Sequence, residues 1–290
     1  MAENKSCSSA SSCSKESCEG CPSANKQQSF LEELNVYSEI KHVVGIVSGK
    51  GGVGKSMVTA SLANLLAEQG HRVGILDADI TGPSIPKMYG LEGPAQADDN
   101  GIYPVITENG IKVMSINLLM PDPETPIIWR GPVIANMIKQ FWTDVIWGEL
   151  DFLLVDMPPG TGDVPLTVFQ SLPVDGIMVV STPQDLVKMI VKKAYNMAQQ
   201  MHIPVLSLIE NFSYLVCPDC GKEIPVFGKS KIDEISDELN VLVGGKMPID
   251  PKLVELADAG AFAKAKIPYL DTAYQTMMLL KLKENTKNEA

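Results

Sequence analysis

Short apolar runs, separated by polar stretches, recur along the chain from residue 42 onward. Three of them are HVVGIVS (42–48), RVGILDAD (72–79) and FLLVDM (152–157), each rich in Val, Ile or Leu. Unbroken apolar runs of this length are typical of strands that are buried on both faces of a parallel sheet. The same pattern returns in IKVMSI (111–116), GIMVVST (176–182) and IPVLSLIEN (203–211).

Longer segments with helical patterning lie between several of these runs. The clearest covers residues 54–69 and ends before Gly70, a residue type that commonly terminates helices. Residues 133–147 and 185–201 are further examples. Strands that alternate with helices predict an α/β fold with a mostly parallel central sheet and helices on both faces.

The two ends of the chain differ from this pattern. Residues 1–36 are mostly Ser, Lys, Glu and Cys, a composition that buries too little apolar surface to form a core. We therefore predict a disordered Cys/Ser-rich tail over 1–36, one folded domain over 37–280, and a frayed C-terminal tail over 281–290.

Composition and charge narrow the class of protein. The chain has 290 residues, 45% of them hydrophobic, and a formal net charge of −11. A net-acidic protein is poorly suited to gripping nucleic acid or anionic lipid. No apolar run approaches the ~18 residues of a membrane span, and the polar start has no signal-peptide core. We expect a cytoplasmic protein whose six cysteines are metal ligands or free thiols.

The segment SGKGGVGKS (48–56) follows the first strand and opens the first helix. It satisfies the phosphate-loop pattern G-x4-G-K-[ST], in which backbone amides and the helix N-terminus cradle phosphates. The lysine of the pattern reaches the β- and γ-phosphates, and its serine ligates Mg²⁺. The predicted nucleotide-binding residues of the loop are Gly49, Gly51, Gly52, Val53, Gly54, Lys55, Ser56 and Met57. The pattern makes no demand on Lys50, which taken alone could be a solvated surface charge.

Carboxylates follow two of the predicted strands. Asp156 comes after four apolar residues, as in a Walker B strand, and with Ser56 is the predicted Mg²⁺ site. Asp77 and Asp79 end the second strand, at the sheet edge where ligands bind in open α/β sheets. Asp77 and Asp163 are equally compatible with helix caps or surface carboxylates.

The segment CPDCG places Cys217 and Cys220 two residues apart, which allows two thiolates to reach one metal. Zinc sites and iron–sulfur clusters usually need four ligands, and no second C-x2-C follows. The spacing alone fits half of a zinc site, half of a [4Fe–4S] site, a redox pair or an unligated pair. Four further cysteines lie in the N-terminal tail: Cys7, Cys13, Cys18 and Cys21.

The second lysine of the phosphate loop, Lys50, makes the chain resemble the deviant-Walker ATPases, which include MinD, ParA, the arsenite-pump ATPase and the nitrogenase iron protein. The resemblance implies a nucleotide-sandwich homodimer in which Lys50 reaches the partner's nucleotide. It also implies that Asp79 orients or activates the attacking water and that Asn211 contacts the adenine edge. Asn211 is alternatively an ordinary turn former.

The runs WRGP (129–132), STPQ (181–184), IENFSY (209–214) and CPDCG are similar to the Mrp/ApbC branch of these ATPases. That branch carries iron–sulfur clusters. The resemblance implies slow ATP hydrolysis and a labile [4Fe–4S] cluster held by Cys217 and Cys220 of two subunits. Its partners would be apo iron–sulfur client proteins and cluster-assembly scaffolds. The gaps between the tail cysteines differ from those of eukaryotic relatives, which leaves a second cluster there open.

Two other functions fit parts of the sequence. A positioning or partition ATPase of the MinD/ParA kind would share the phosphate loop, although CPDCG and the acidic charge favour the cluster carrier over DNA partition. A zinc-stapled ATPase switch would use the same two cysteines. The C-terminal segment lacks the dense basic face of a membrane-binding helix, so no membrane partner is expected.

Overall fold

The computed structural model describes residues 31–79, 82, 84–120, 131–160, 162–184 and 187–288. The described residues from Glu32 onward form one compact unit. The strands are β1 (Glu39–Ser48), β2 (Val73–Asp77), β3 (Ala97–Asp98), β4 (Gly101–Ile102), β5 (Val105–Ile106), β6 (Lys112–Ser115), β7 (Glu149–Asp156), β8 (Gly176–Ser181), β9 (Val205–Glu210), β10 (Leu215–Val216), β11 (Glu223–Ile224) and β12 (Val243–Lys246).

The helices alternate with these strands along much of the chain. They are α1 (Lys55–Glu68), α2 (Ile85–Met88), α3 (Gly131–Thr143), α4 (Asp163–Ser171), α5 (Val187–Gln200), α6 (Ile232–Leu239), α7 (Pro251–Asp258) and α8 (Asp271–Asn288). Short 3₁₀ turns occupy Ile116–Leu118 and Phe262–Lys264.

Eight strands form one sheet in the order β12-β9-β8-β1-β7-β2-β6-β5. All neighbours are parallel except β5 and β6. The predicted α/β class is therefore confirmed, and every apolar run named above contains a strand of this sheet. The central strands β1, β7 and β2 lie side by side, and Asp156 pairs in register with Ile46 on one side and Asp77 on the other. Their carboxyl ends consequently meet at one edge.

Helices cover both faces because the buried strands are apolar on both. Alternate residues of β1 show this directly: Val43 and Val47 pack in one core cluster, and Val44 and Ile46 pack in the other. Helices α3, α4, α5 and α6 contribute side chains to the first cluster, and α1, α2, α7 and α8 contribute to the second. This two-faced core keeps the carboxyl edge of the sheet in a fixed arrangement.

The folded unit begins earlier than the predicted boundary at residue 37. The Trp142 indole donates a hydrogen bond to the Glu32 carbonyl at 3.1 Å, and the Asn35 side chain donates to the Thr143 carbonyl at 3.1 Å. Asn35 is buried, and Leu34 packs against the core. Residues 32–36 therefore belong to the fold, because they satisfy polar groups of α3. Residues 1–30 lie outside the described part of the chain, so the tail remains a prediction.

The C-terminal boundary also differs from the prediction. Helix α8 continues through Asn288, past the expected start of fraying at residue 281. The segment 281–288 contains neither Gly nor Pro, so nothing in its sequence stops the helix. Among the described helices, none combines the length and apolar character needed to cross a membrane.

Candidate functional site

The predicted phosphate loop connects β1 to α1 and borders a cavity of about 350 Å³. Two glycines of the loop have left-handed backbone angles, Gly52 with φ +76° and Gly54 with φ +74°. A Cβ atom at Gly54 would lie 2.3 Å from the Asn211 amide nitrogen, so only glycine fits there. The wall of the cavity is formed by Ser48, Lys50, Gly51, Gly52, Val53, Gly54, Lys55, Ser56, Met57, Asp79, Ser84, Met88, Pro159, Val254, Ala257 and Asp258.

Gly49 belongs to the loop but does not line this cavity. A Cβ atom there would lie 1.8 Å from the side chain of Ile190, in helix α5. The absence of a side chain at Gly49 therefore allows the loop to approach α5 closely. The phosphate contact expected of its backbone stays a prediction.

Lys55 is the first residue of α1 and is almost fully buried. Its ammonium lies 2.9 Å from an oxygen of Asp156 and 3.7 Å from an oxygen of Asp79. Two acidic groups thus fix the position of the lysine at the mouth of the helix N-terminus. The arrangement presents a positive charge where a phosphate would meet the backbone amides of the loop.

Asp156 is completely buried and accepts hydrogen bonds from two hydroxyl groups of α1. Ser56 donates to one carboxylate oxygen at 2.6 Å, and Thr59 donates to the other at 2.6 Å. The contact joins the two predicted Mg²⁺ residues, Ser56 and Asp156. Thr59 was missed by the sequence reasoning, although its position one helical turn after Lys55 places it on the face of α1 that meets β7.

Asp77 is a fully buried carboxyl group, which excludes the alternatives of a helix cap or surface carboxylate. It accepts hydrogen bonds from the Asp79 backbone amide and the Ser115 hydroxyl, both at 3.2 Å. Burial raises its pKa well above the usual range, and the charge of Asp156 raises it further, whereas Lys55 acts in the opposite direction. Asp163 is the first residue of α4.

Two carboxylates, Asp79 and Asp156, thus lie within ion-pair distance of the Lys55 ammonium, and the buried Asp77 is close enough for the charges of Lys55 and Asp156 to affect its pKa. The surplus of acidic groups fits a divalent cation, and the Ser56 hydroxyl supplies an oxygen ligand of the kind Mg²⁺ prefers. In the part of the chain that the structure describes, no three His, Cys, Asp or Glu side chains converge as a metal site. A Mg²⁺ ion here would therefore rely on phosphate and water for its remaining ligands.

Lys50 lies at the rim of the same cavity and is only partly buried. Its ammonium donates a hydrogen bond to the side-chain carbonyl of Gln184, just after β8 in the same chain. Gln184 is neutral, so this contact does not cancel the charge of Lys50. The partner of Lys50 was not identified from the sequence, although both residues lie in motifs named above.

Asn211 follows β9 and is 1% exposed, beneath the phosphate loop rather than on the cavity wall. Its amide nitrogen donates to the Val53 carbonyl at 3.0 Å, and its side-chain oxygen accepts from the Phe212 backbone amide at 2.9 Å. Both polar atoms are thus used within the protein. Asn211 therefore supports the phosphate loop from below, and its contact with the adenine edge stays a prediction.

Cys217 and Cys220 lie in the turn of the β10–β11 hairpin, outside the main sheet. The turn is closed by two backbone hydrogen bonds of 2.9 Å, from Gly221 to the Cys217 carbonyl and from Cys217 to the Lys222 carbonyl. Gly221 has φ +70°, which explains a glycine at this position. Both cysteines are free thiols, Cys217 partly buried and Cys220 exposed.

The hairpin favours a thiolate at Cys217. Hydrogen bonds from the Cys220 and Asp219 backbone amides and from the Cys220 side chain lower the pKa of the Cys217 thiol. Thiolates are the form in which cysteines ligate metals. Four apolar side chains of the hairpin and of the residues just after it are exposed: Val216, Ile224, Val226 and Phe227.

Comparison with known proteins agrees with this geometry. Residues 39–281 match the family model described as ParA, NUBPL iron-transfer P-loop NTPase. A Methanocaldococcus jannaschii protein named iron-sulfur cluster carrier protein is 48% identical over 254 residues, which cover 84% of this chain and 87% of that protein. A Saccharolobus solfataricus protein of the same name is 47% identical over 239 residues and covers 81% of each chain.

Solved structures show the same fold. A nucleotide-binding protein from Archaeoglobus fulgidus in complex with ADP is 45% identical and superposes with a TM-score of 0.71, covering 79% of this chain and 90% of that one. A chain of the Aquifex aeolicus MinC:MinD cell division protein complex is 23% identical with a TM-score of 0.57, over 83% of this chain and 95% of that one, and this likeness supports the fold alone. By the model match over residues 39–281 and its relatives near half identity, the chain belongs to the NUBPL-type iron-transfer P-loop NTPases.

Proposed function

We propose that this protein is an ATP-hydrolysing carrier that holds a labile [4Fe–4S] cluster between two subunits and passes it to apo-proteins. The observation that carries the proposal is the presence, in one chain, of a preformed phosphate site and a separate two-thiol hairpin. Relatives at 47–48% identity are named iron-sulfur cluster carrier proteins, which supports the same cargo.

The phosphate site supports ATP binding and hydrolysis. The loop amides and Lys55 bind the β- and γ-phosphates, and Ser56 with Asp156 holds Mg²⁺, which would neutralise charge on the phosphate oxygens. Asp79 lines the cavity within 3.7 Å of the Lys55 ammonium, where its carboxylate can orient a water toward the γ-phosphate. The structure of an ADP-bound protein at 45% identity supports nucleotide binding at this site.

A homodimer completes both functional sites. Lys50 lies at the cavity rim, where its ammonium contacts the neutral amide of Gln184. From this position the ammonium can contact the nucleotide of a second subunit. The hairpin offers only Cys217 and Cys220, whereas a [4Fe–4S] cluster takes four thiolates. Two hairpins related by a two-fold axis supply the full set, and their exposed apolar side chains exclude water around it.

Cluster transfer is a ligand exchange without electron transfer. Each iron–sulfur bond to Cys217 or Cys220 breaks as a bond to a client thiolate forms, and the protons released by the client thiols return to the carrier cysteines. The oxidation state of the cluster is unchanged. Cluster-assembly scaffolds are the proposed source and apo iron–sulfur proteins the recipients, in the reducing cytoplasm that keeps free thiols available.

The deciding experiment is anaerobic reconstitution of the full chain with ferrous iron and sulfide. We expect four irons per dimer, the charge-transfer absorption of an iron–sulfur cluster, and a sedimentation shift from monomer to dimer, because a ligand that binds only the dimer stabilises it. Cys217→Ala and Cys220→Ala should each lose the cluster and the shift. The loaded protein should restore the activity of an apo [4Fe–4S] enzyme.

A matched control replaces the tail cysteines, Cys7, Cys13, Cys18 and Cys21, with serine. This variant should keep the bridging cluster, because its hairpin is intact. Four irons on a chain that stays monomeric would overturn the bridging model and implicate the tail. Purified protein that holds zinc, rejects iron and sulfide, and loses zinc in Cys217→Ala would instead establish the zinc-stapled switch.

A further inference from the structure

Two consecutive residues, Glu210 at the carboxyl end of β9 and Asn211 just after it, contact the cysteine-containing segment and the phosphate loop respectively. Asn211 donates to the Val53 carbonyl of the phosphate loop at 3.0 Å and is 1% exposed. Its neighbour Glu210 is also 1% exposed, yet it does not line the nucleotide cavity. The nucleotide chemistry described above therefore gives no reason for a buried acidic residue at this position.

The side chain of Glu210 joins both ends of the segment that carries the cysteines. Ser213 donates to one of its oxygens at 2.6 Å, and Ser230 donates to the other at 2.9 Å. Ser213 precedes and Ser230 follows residues 214–229, which contain the β10–β11 hairpin. A single buried carboxyl group thus closes the base of this segment.

The residue after Asn211 has an unusual backbone conformation. Phe212 has φ +56°, in the left-handed region that non-glycine residues rarely adopt, and its backbone amide donates to the Asn211 side chain. Its ring lies against the phosphate loop, because a Cβ atom placed on Gly54 would be 3.2 Å from it. Such conformations persist only where the surrounding contacts hold them, and they are common in switch regions.

The chain beyond this point also returns to the nucleotide cavity. The Ser213 amide donates to the Met247 carbonyl at 2.8 Å, and the Ile249 amide donates to the Tyr214 carbonyl at 2.7 Å. Residue 249 leads into α7, whose Val254 lines the cavity. The base of the hairpin segment is therefore connected to two sides of the nucleotide site.

We propose that Glu210 and Asn211 couple the nucleotide site to the cysteine hairpin, with Glu210 as a positioning residue for residues 214–229. Phosphate binding redirects the amides of the phosphate loop, which moves the Val53 carbonyl and with it the Asn211–Phe212 peptide. Glu210 then transmits the change to both ends of the hairpin segment through Ser213 and Ser230. This inference rests on the proposed function only in assigning a cluster to the hairpin.

Hydrogen exchange of the metal-free full chain tests the coupling without a cluster. The exchange rate of peptides within residues 214–229 would be measured by mass spectrometry, with and without Mg²⁺ and a non-hydrolysable ATP analogue. We expect the analogue to change the exchange of this segment by about threefold or more in the wild-type protein, as a local opening equilibrium would. Ser230→Ala should abolish that change and bind the analogue with wild-type affinity.

The matched control is Ser230→Thr, which keeps a hydroxyl group and should restore the response. Glu210→Gln is a second test that keeps side-chain volume; it should weaken the response, with folding checked by circular dichroism. Thermodynamic reciprocity gives another readout, since Zn²⁺ bound at the hairpin should alter the affinity for the analogue by the same factor as the analogue alters that for Zn²⁺.

Either of two results would overturn the proposal: a wild-type hairpin whose exchange ignores the bound analogue, or a Ser230→Ala variant that responds as the wild type does. Iron reconstitution separates this failure from failure of the carrier function. A hairpin that responds to the analogue but never binds iron would leave the coupling intact and remove the cluster. A hairpin that binds iron but shows no response would do the reverse.

Discussion

The ammonium of Lys55 and the carboxylate of Asp156 form an ion pair of 2.9 Å beneath the phosphate loop, with exposed side-chain fractions of 5% and 0%. The pair joins the first residue of α1 to the last residue of β7. A buried pair of this kind fixes the position of the lysine side chain before any phosphate arrives.

Lys55→Ala should therefore lower the affinity for ATP by on the order of 100-fold, because charged hydrogen bonds to phosphate are lost. Lys50→Ala should keep most of the affinity and lower turnover, since its charge is proposed to act on the partner's nucleotide. Calorimetry and a phosphate-release assay would measure the two quantities. Lys266→Ala, at a lysine that is 79% exposed, is the control. Equal loss of affinity in Lys50→Ala and Lys55→Ala would argue against action across the dimer.

Asp79→Asn should bind ATP and hydrolyse it slowly. The amide keeps the shape of the side chain but loses the basicity that orients water, an effect of about 10²–10⁴-fold in rate. Single-turnover assays suit the low basal rate expected. Asp258→Asn changes an exposed carboxylate of the same cavity and should hydrolyse normally. Wild-type rates in Asp79→Asn would remove this residue from the mechanism.

Asp77→Asn should stabilise the protein at neutral pH when Mg²⁺ and nucleotide are absent. The folded state raises the pKa of Asp77, mainly through burial, so ionisation destabilises the fold as pH rises above the unfolded value of about 3.9. The gain in Tm should be present at pH 7 and vanish near pH 4. Thermal melts across this range would measure it. An unchanged Tm at pH 7 would contradict the buried-acid interpretation.

Asp151→Asn should change Tm at pH 7 in the opposite direction in the same thermal melts. Burial opposes ionisation of Asp151, but hydrogen bonds from the Arg72 backbone amide and from the Lys41 and Arg72 side chains outweigh it and lower the pKa. Its stabilising contribution is present above the unfolded pKa and is lost as pH falls through the folded value. Asp151→Asn should therefore lower Tm at pH 7, and the difference should shrink in acid.

Two truncations should differ because of residues 31–36. Deletion of residues 1–30 should leave the melting temperature unchanged. Deletion of 1–36 should lower the free energy of unfolding by about 1–3 kcal/mol, because it removes the Glu32 carbonyl that accepts from Trp142 and exposes the Asn35 site. Denaturant titrations of the two variants against the full chain would test this. Equal stability of the two truncated variants would instead place the start of the folded domain at residue 37.

The sequence was sufficient to predict the sheet and the phosphate loop because both depend on local patterns. Short apolar runs predict buried strands, and G-x4-G-K-[ST] specifies a backbone shape. Gly52 and Gly54 adopt the left-handed conformations that such a loop requires. The position of Asp156 was also predicted, since a carboxylate at the end of a buried strand must lie at the edge of the sheet.

Contacts between distant segments were not predictable in the same way. The sequence does not show that Gln184 meets Lys50 or that Thr59 meets Asp156, because these pairs depend on how α1, β7 and β8 are brought together. The sequence predicted that Asn211 lies at the end of a strand, but it did not predict the direction of the side chain. Asn211 packs under Gly54, and its amide points toward the phosphate loop. Burial likewise showed that Asp77 is neither a helix cap nor a surface carboxylate, two alternatives that the sequence had left open.

Among the described residues, the two strands of the cysteine hairpin pair with each other and with no strand of the eight-stranded sheet. A change in the hairpin's length, cysteine spacing or rim would therefore leave the core intact while altering what is carried. The hairpin and the ATPase core can therefore change in sequence at different rates. The close-packed interior constrains the core, whereas the chemistry of the bound ligand constrains the hairpin. In such an architecture, new specificity requires only local changes in a short loop.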